Sequence, residues 1–290
     1  MSTSAVSHPV LGVDHCFTLV SDLDRSMEQF RRLGFTLSPR GLHSEKMGSA
    51  NTTAVFEAGD YFELLGIIAP TEQNKSKRDQ LESDGEGLRA IACQIGDARD
   101  AREKLAALGL STTEVVDFER PVPLPNGEQT KAAFSITQFE ARDVPFGTVF
   151  MCQHHTRDAV WIPALLNHRN GAKGLGGIVA AVADPKSIAT AYARLFSGAT
   201  PTPVDGGYEI ATGTIPLTFL SPEALAKNYS GIDTSKIPPT AFAVMQITTD
   251  NLRSIRDNGL AEELPLIETP RGLAASPSIA SGVIVEFLAK

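Results

Sequence analysis

The stretch DHCFTLVSDLDRSMEQFRRLGF, residues 14–35, decides the fold. It opens as a short apolar strand, passes through a small polar turn with Asp22, and continues as an amphipathic helix that stops at Gly34. An aspartate between strand and helix caps the helix by accepting backbone N–H bonds. A glycine after the last turn suits a left-handed C-cap. Three further stretches share this rhythm, at residues 88–110, 174–198 and 240–260. Their strands run into Asp97, Asp184 and Asp250, and Gly109 and Gly259 stand where Gly34 stands in the first. Gly198 closes the third helix less tidily.

Strand-like runs follow each helix. After the first come GFTLSPR, NTTAVFEA and DYFELLGI; after the second, STTEVVDFE, KAAFSIT and GTVFMCQHH. After the third come TPTPV, GYEIAT and IPLTFLS; after the fourth, ELPLIETP and SGVIVEFLA, with a weaker middle strand near SPSIA. A repeat of strand, helix and three strands specifies a mixed α+β class, with helices outside curved sheets. One such unit leaves a sheet face open, and pairing two closes a half-barrel around a cavity. Four βαβββ modules therefore predict two half-barrel domains, 9–160 and 173–290, the second built from shorter, degenerate modules. The segment between them, near 156–172, has loop character.

Bulk properties narrow the function. The 290 residues are 42% hydrophobic and 21% charged, with a formal net charge of −8, ordinary for a globular chain with a real core. An acidic chain does not suit general nucleic-acid binding, which rewards a basic surface, nor a polybasic membrane surface. Cys16, Cys93 and Cys152 lie in apolar runs, not CxxC pairs, and read as buried reduced thiols. No signal peptide and no membrane span are visible, so the expected location is cytoplasmic. No GxGxxG, P-loop or GxSxG elbow is present, which disfavours nucleotide-cofactor and serine-hydrolase chemistry.

Several motifs resemble one family: DH at 14–15, SDLD at 21–24, LGFTLSPRGLH at 33–43, GSANTTAVF at 48–56 and GDYFELLG at 59–66. FERPVPLP at 118–125 and VFMCQHHTRDAVWIPALLNHRNGA at 149–172 add to them. Over most of 11–175 the chain resembles the vicinal-oxygen-chelate superfamily, in particular the bacterial glyoxalase-like domain family. This is the fold of glyoxalase, bleomycin-resistance and extradiol-dioxygenase proteins, and it hosts many reactions.

The resemblance implies metal ligands from the first and last strands of a module, here His15 and Glu63. Alternation puts His15, Phe17 and Leu19 on one face, and Tyr61, Glu63 and Leu65 on one face. A glutamate between Phe62 and Leu64 is costly to bury unpaired, and a metal or a histidine removes that cost. Aligning the aspartate caps gives Ala90, Gly177 and Ala243 as the counterparts of His15, none of them a ligand type. At the last strands the later modules offer Thr218 and Glu286, and Glu286 reads as a solvated edge residue. The third ligand comes from His154 or His155. Alternation does not choose between neighbours, and the resemblance favours His154. Two histidines and a carboxylate suit Fe, Mn, Zn or Ni as the divalent metal. His43 and Asn51 frame a loop that can close over substrate, Arg40 and Arg120 are candidates for an anionic group, and His155 and Trp161 complete the substrate-binding candidates.

The expected function is a metal-dependent enzyme on a small molecule with vicinal oxygens, of isomerase or lyase type through a stabilised enolate, with Glu63 as ligand or general base. One alternative is a metal-free protein that sequesters a small molecule in the same cavity. A second is a ring-cleaving dioxygenase, disfavoured because that triad comes from the two C-terminal modules, where only Glu286 remains. A monomer or homodimer is expected.

Overall fold

A computed structural model describes residues 6–124 and 128–289. The first five residues, part of the stretch read for a leader, lie outside them, as do Pro125 of the FERPVPLP motif and Lys290. The first half runs β1 (Gly12–Val20), α1 (Leu23–Arg32), β2 (Gly41–Leu42), β3 (Ser49–Val55), β4 (Tyr61–Ile67), α2 (Lys75–Asp84), β5 (Gly87–Gln94), α3 (Ala98–Ala107), β6 (Val116–Pro123), β7 (Gln129–Gln138) and β8 (Thr148–His154). The second runs β9 (Ala172–Ala181), α4 (Pro185–Ala193), β10 (Thr202–Val204), β11 (Gly207–Ala211), β12 (Pro216–Leu220), α5 (Pro222–Asn228), β13 (Ala241–Thr249), α6 (Leu252–Ala261), β14 (Leu266–Glu268), β15 (Gly272–Ala275) and β16 (Ile284–Ala289).

The strands form two eight-stranded sheets of the same topology, β2-β3-β4-β1-β5-β8-β7-β6 and β10-β11-β12-β9-β13-β16-β15-β14. In each, two βαβββ modules join through their first strands, β1 antiparallel to β5 and β9 antiparallel to β13. The last strand of each module runs parallel to its first. The edge strands β2 and β6 come into contact, so the first sheet curls almost into a barrel. The mixed class and paired half-barrels expected from the repeat are therefore present.

The caps explain where the helices start. Asp22, Asp97 and Asp184 each accept backbone N–H bonds from the first turn of their helix. In the fourth module Asn251, not Asp250, makes that bond. Gly34 and Gly109 have positive φ, but Gly259 lies inside α6. Two strand readings also shift. GFTLSPR forms no strand, and the edge strand is the two-residue β2. SPSIA holds a 3-10 turn, and GLAA of β15 is the middle strand. Helices α2 and α5, between modules, have no counterpart in the βαβββ rhythm.

The helix-covered faces of both sheets share one core. Phe30, fully buried on α1, packs at 5.0 Å from Phe62 of β4, and Phe35 stacks at 5.8 Å on Phe287 of β16. Burying one such phenyl ring stabilises by about 2–3 kcal/mol. The concave faces have cores of their own. On the first, Tyr61, Ala92, Phe134 and Cys152 pack with Ala159, Val160 and Ile162. The segment expected to be a plain linker thus folds back, through two 3-10 turns, and plugs the first half-barrel. On the second, Leu225 of α5, Tyr229 and Ile232 cover Val179, Val244 and Ile284. The three cysteines are free and buried, as the apolar runs implied. No helix among the described residues is long and apolar enough to cross a membrane.

Candidate metal centre and substrate cavity

Strict alternation would send Asp14 and His15 to opposite faces of β1. The ladder to β5 shifts register between them: Val13 pairs with Cys93 and His15 with Ala92, which leaves Asp14 as an extra, unpaired residue. A bulge of this kind re-aims a side chain, and here it brings the carboxylate round to the imidazole. His15 Nδ1 donates to Asp14 Oδ1 at 2.8 Å. His154, the last residue of β8, donates from Nε2 to the same oxygen at 3.1 Å. A carboxylate only accepts, so both of these ring nitrogens carry their protons. His15 Nε2 then faces the Tyr61 hydroxyl at 3.2 Å, and the Tyr61 ring stacks on the imidazole at 4.1 Å.

All three side chains are sealed, 1% exposed at Asp14 and 3% at each histidine. Burial alone would raise the Asp14 carboxyl, but hydrogen bonds from His15 and His154 outweigh it and hold the group well below the usual carboxylate range. Burial pushes His154 down, with Asp14 opposing. Burial also raises the Tyr61 phenol well above its usual value, so it remains a donor. The aromatic walls are Phe150 at 5.5 Å from His15, and Phe134 and Trp161 at 5.0 and 5.2 Å from His154. Arg157 lays its guanidinium 3.8 Å over the Trp161 ring and points Nη1 at Asp14 Oδ2, 3.6 Å away.

Asp14, His15 and His154 each place a ligating atom within 4.8 Å of the others. Two buried atoms of the group, Asp14 Oδ2 and His154 Nδ1, have no hydrogen-bond partner. One carboxylate and two imidazoles, with His154 Nδ1 unbonded and Asp14 Oδ2 held only by the Arg157 ion pair, fit a divalent cation.

Glu63 stands apart from this group. It lies two residues beyond Tyr61, opposite Phe17 in the β1–β4 register, and its Oε1 accepts from Asn51 Nδ2 at 2.9 Å. Three other side chains stand near it on the concave face. Arg120 of β6 is buried, with no hydrogen bond or ion pair to any described residue. His43 shares a hydrogen bond with Ser49 Oγ at 2.8 Å, and burial lowers its pKa. Lys77 of α2, near Glu63, is also pushed down by burial. A side chain at Gly41 would bring its Cβ within 2.6 Å of Asn51 Oδ1 and 2.8 Å of Arg120 Nη1, so both side-chain ends close in on this glycine.

Of the residues singled out in the sequence, His15 and His154 meet at one carboxylate, with Trp161 against them. Glu63, Asn51, His43 and Arg120 gather further along the same concave face. Arg40 instead ion-pairs with Asp24 on α1, outside the cavity. His155 is exposed on the other face of β8 and hydrogen-bonds Ser135 Oγ at 2.7 Å. Asp14, Tyr61, Arg157 and Lys77 went unread. Asp14 stood in plain view beside His15, but nothing in the sequence marks the bulge. In the second sheet Glu286 corrects the expectation of a solvated edge: it is 1% exposed. It accepts from Tyr229 Oη and Gln246 Nε2, both at 2.8 Å, and from Thr269 Oγ1 at 2.6 Å.

A cleft of about 730 Å3 lies elsewhere, between residues 21–25 and 84–89 of the first half and 231–242 and 276–282 of the second. Two of its cations, Arg25 and Arg89, pair with Glu86 and Asp84.

Residues 13–196 match the family described as Glyoxalase-like domain. The chain belongs to the glyoxalase-like domain family. The match runs from β1 past α4 and so takes in the whole concave site. No curated protein matches this glyoxalase-like chain by sequence. Solved structures share its fold. A hypothetical protein from Staphylococcus aureus superposes with a TM-score of 0.68 at 13% identity, over 96% of this chain and 99% of that one. A xylose isomerase-like TIM barrel/4-hydroxyphenylpyruvate dioxygenase fusion protein gives 0.63 at 14%, over 98% of this chain and 49% of the other. A triple mutant of 4-hydroxymandelate synthase from Streptomyces coelicolor gives 0.56 at 13%, over 97% and 93%. At these identities the likeness concerns the fold.

Proposed function

We propose that the concave face of the first sheet is the active site of a divalent-metal-dependent enzyme, of isomerase or lyase type, acting on a small molecule with vicinal oxygens. The observation that carries this is the buried Asp14–His15–His154 group with its two atoms that lack a hydrogen bond. A divalent cation there would supply Lewis acidity toward a carbonyl or hydroxyl oxygen of the substrate. Tyr61 fixes the His15 ring by stacking and hydrogen bonding. Trp161 and Arg157 close the group from the side of the plug and keep water out, which strengthens every electrostatic interaction inside. Glu63, outside the ligand group and half-buried, would act as the general base: Asn51 Nδ2 orients one oxygen and leaves the other for a substrate C–H or O–H.

The same residues support a second reading, a metal-free binding protein. Asp14 Oδ1 already satisfies one nitrogen of each histidine, and the Tyr61 hydroxyl faces the other nitrogen of His15. Ring-cleaving dioxygenation from the C-terminal modules is disfavoured, because Glu286 is fully engaged by Tyr229, Gln246 and Thr269.

Metal analysis of protein purified without chelator separates the two readings. The enzyme reading expects about one divalent ion per chain, lost in Asp14→Asn, His15→Ala and His154→Ala. Wild-type protein that neither carries nor takes up a divalent ion would overturn it.

A further inference from the structure

We propose that the concave face beside Glu63 binds a small hydroxy-substituted oxyanion, with Arg120 and Lys77 holding the anionic group and Asn51 Oδ1 accepting from the hydroxyl. The inference rests on the concave face being the substrate site, and it names the class of substrate.

Arg120 is 8% exposed, on β6, and makes no hydrogen bond or ion pair with any described residue. Its Nη1 and Asn51 Oδ1 both lie within 2.8 Å of where a Gly41 Cβ would stand, and an anionic group beside them would pair the guanidinium. Lys77 reaches the same space from α2. Leu81, four residues on and therefore on the same helix face, packs over Phe17, Leu19 and Leu65 of the concave surface, and Glu63 is the neighbour that attracts the Lys77 ammonium. This part of the concave face thus sets two cations against one carboxylate, and burial favours the neutral form of His43. One monoanion completes the charge balance. Asn51 supplies the second half of the specificity. Its Nδ2 is committed to Glu63, while its buried Oδ1 lacks a donor. A hydroxyl next to the anionic group is the donor it lacks, and a guanidinium is the side chain that grips a carboxylate or phosphate with two parallel bonds.

Calorimetric titration of the full-length protein with glycolate, its neutral isostere glycolamide, acetate and inorganic phosphate tests this, on wild type, Arg120→Gln and Lys77→Gln. Glycolate is expected to bind about tenfold or more tightly than glycolamide, and to lose about tenfold or more in each variant, as removal of a charge-assisted hydrogen bond implies. Acetate should fall between glycolate and glycolamide. Tighter binding of phosphate than of glycolate, lost in the same variants, assigns the anionic group as phosphoryl. Equal affinity for glycolate and glycolamide, or no binding of any of these anions, overturns the proposal. So does a melting temperature in Arg120→Gln well below wild type without ligand, since that makes Arg120 structural. Metal content is read in parallel: its absence with anion selectivity intact would sink the metal reading alone.

Discussion

Asp14 and His15 are consecutive in the chain, yet their side chains meet at 2.8 Å on one side of β1, because a bulge there interrupts the strand's alternation. The carboxylate gathers His154 from β8 as well. Asp14, rather than Glu63, is the carboxylate between the two histidines, and the two carboxylates are proposed for different roles.

Those roles can be told apart by metal content. In Glu63→Gln the bound ion should stay at the wild-type level, because Glu63 lies outside the Asp14–His15–His154 group. In Asp14→Asn it should fall at least tenfold. Mass-spectrometric metal analysis of the three proteins decides it, and loss of the ion in Glu63→Gln would make that residue a ligand.

Trp161 is the only tryptophan of the chain, and its ring lies 5.2 Å from His154 and 5.5 Å from Tyr61. Its fluorescence should report occupancy of the centre directly. Titration with Co(II) or Cu(II) is expected to quench it in wild type and to leave it unchanged in His154→Ala. Trp161→Ala should destabilise the fold by about 3–5 kcal/mol, the usual range for deleting a large aromatic side chain from a packed site, as measured by urea denaturation.

The junction of the two halves is pH-sensitive through Asp60. Its carboxylate accepts the Leu175 backbone N–H at 3.1 Å, and burial raises its pKa from 3.8 to about 7, with that hydrogen bond opposing and Asp14 reinforcing the rise. A folded value above the unfolded one means that the folded state binds the extra proton. This contribution to stability is full below pH 4 and is lost as pH rises to about 7. Asp60→Asn mimics the protonated group and should therefore gain on wild type between pH 4 and pH 8, by roughly 2–4 kcal/mol at about 1.4 kcal/mol per pKa unit. Denaturation curves at both pH values check the sign.

Glu286 is a structural carboxylate. Glu286→Ala leaves the donors of Tyr229, Gln246 and Thr269 without their acceptor, and about 1 kcal/mol or more for each predicts a loss of roughly 3–5 kcal/mol. Metal content and tryptophan fluorescence at the first half-barrel should not change. An altered metal content in this variant would show that the two sheets are coupled.

The repeat was legible because it is written in local physics. Asp22, Asp97 and Asp184 accept helix N–H bonds whatever lies beyond them, and apolar spacing reports which face meets water. The misreadings have local causes too. Asn251 caps as well as the Asp250 beside it, and GFTLSPR is apolar because Phe35 and Leu37 pack into or against the core, not because they pair in a ladder. His154 rather than His155 faces the cavity because it shares the inward side of β8 with Phe150 and Cys152, which depends on where the curved sheet turns.

Sequence alone determined the four modules, their pairing into two curved sheets, and a first half bearing His15 at one strand start and a histidine pair at another strand's end. Tertiary structure alone decided that Asp14 joins them, that Trp161 and Arg157 fold back as a plug, and that Arg120 and Lys77 come near Glu63. Periodicity encodes the face a residue presents within one element. A bulge, a returning linker and the meeting of β2 with β6 depend on contacts between residues far apart in the chain, which no local pattern records.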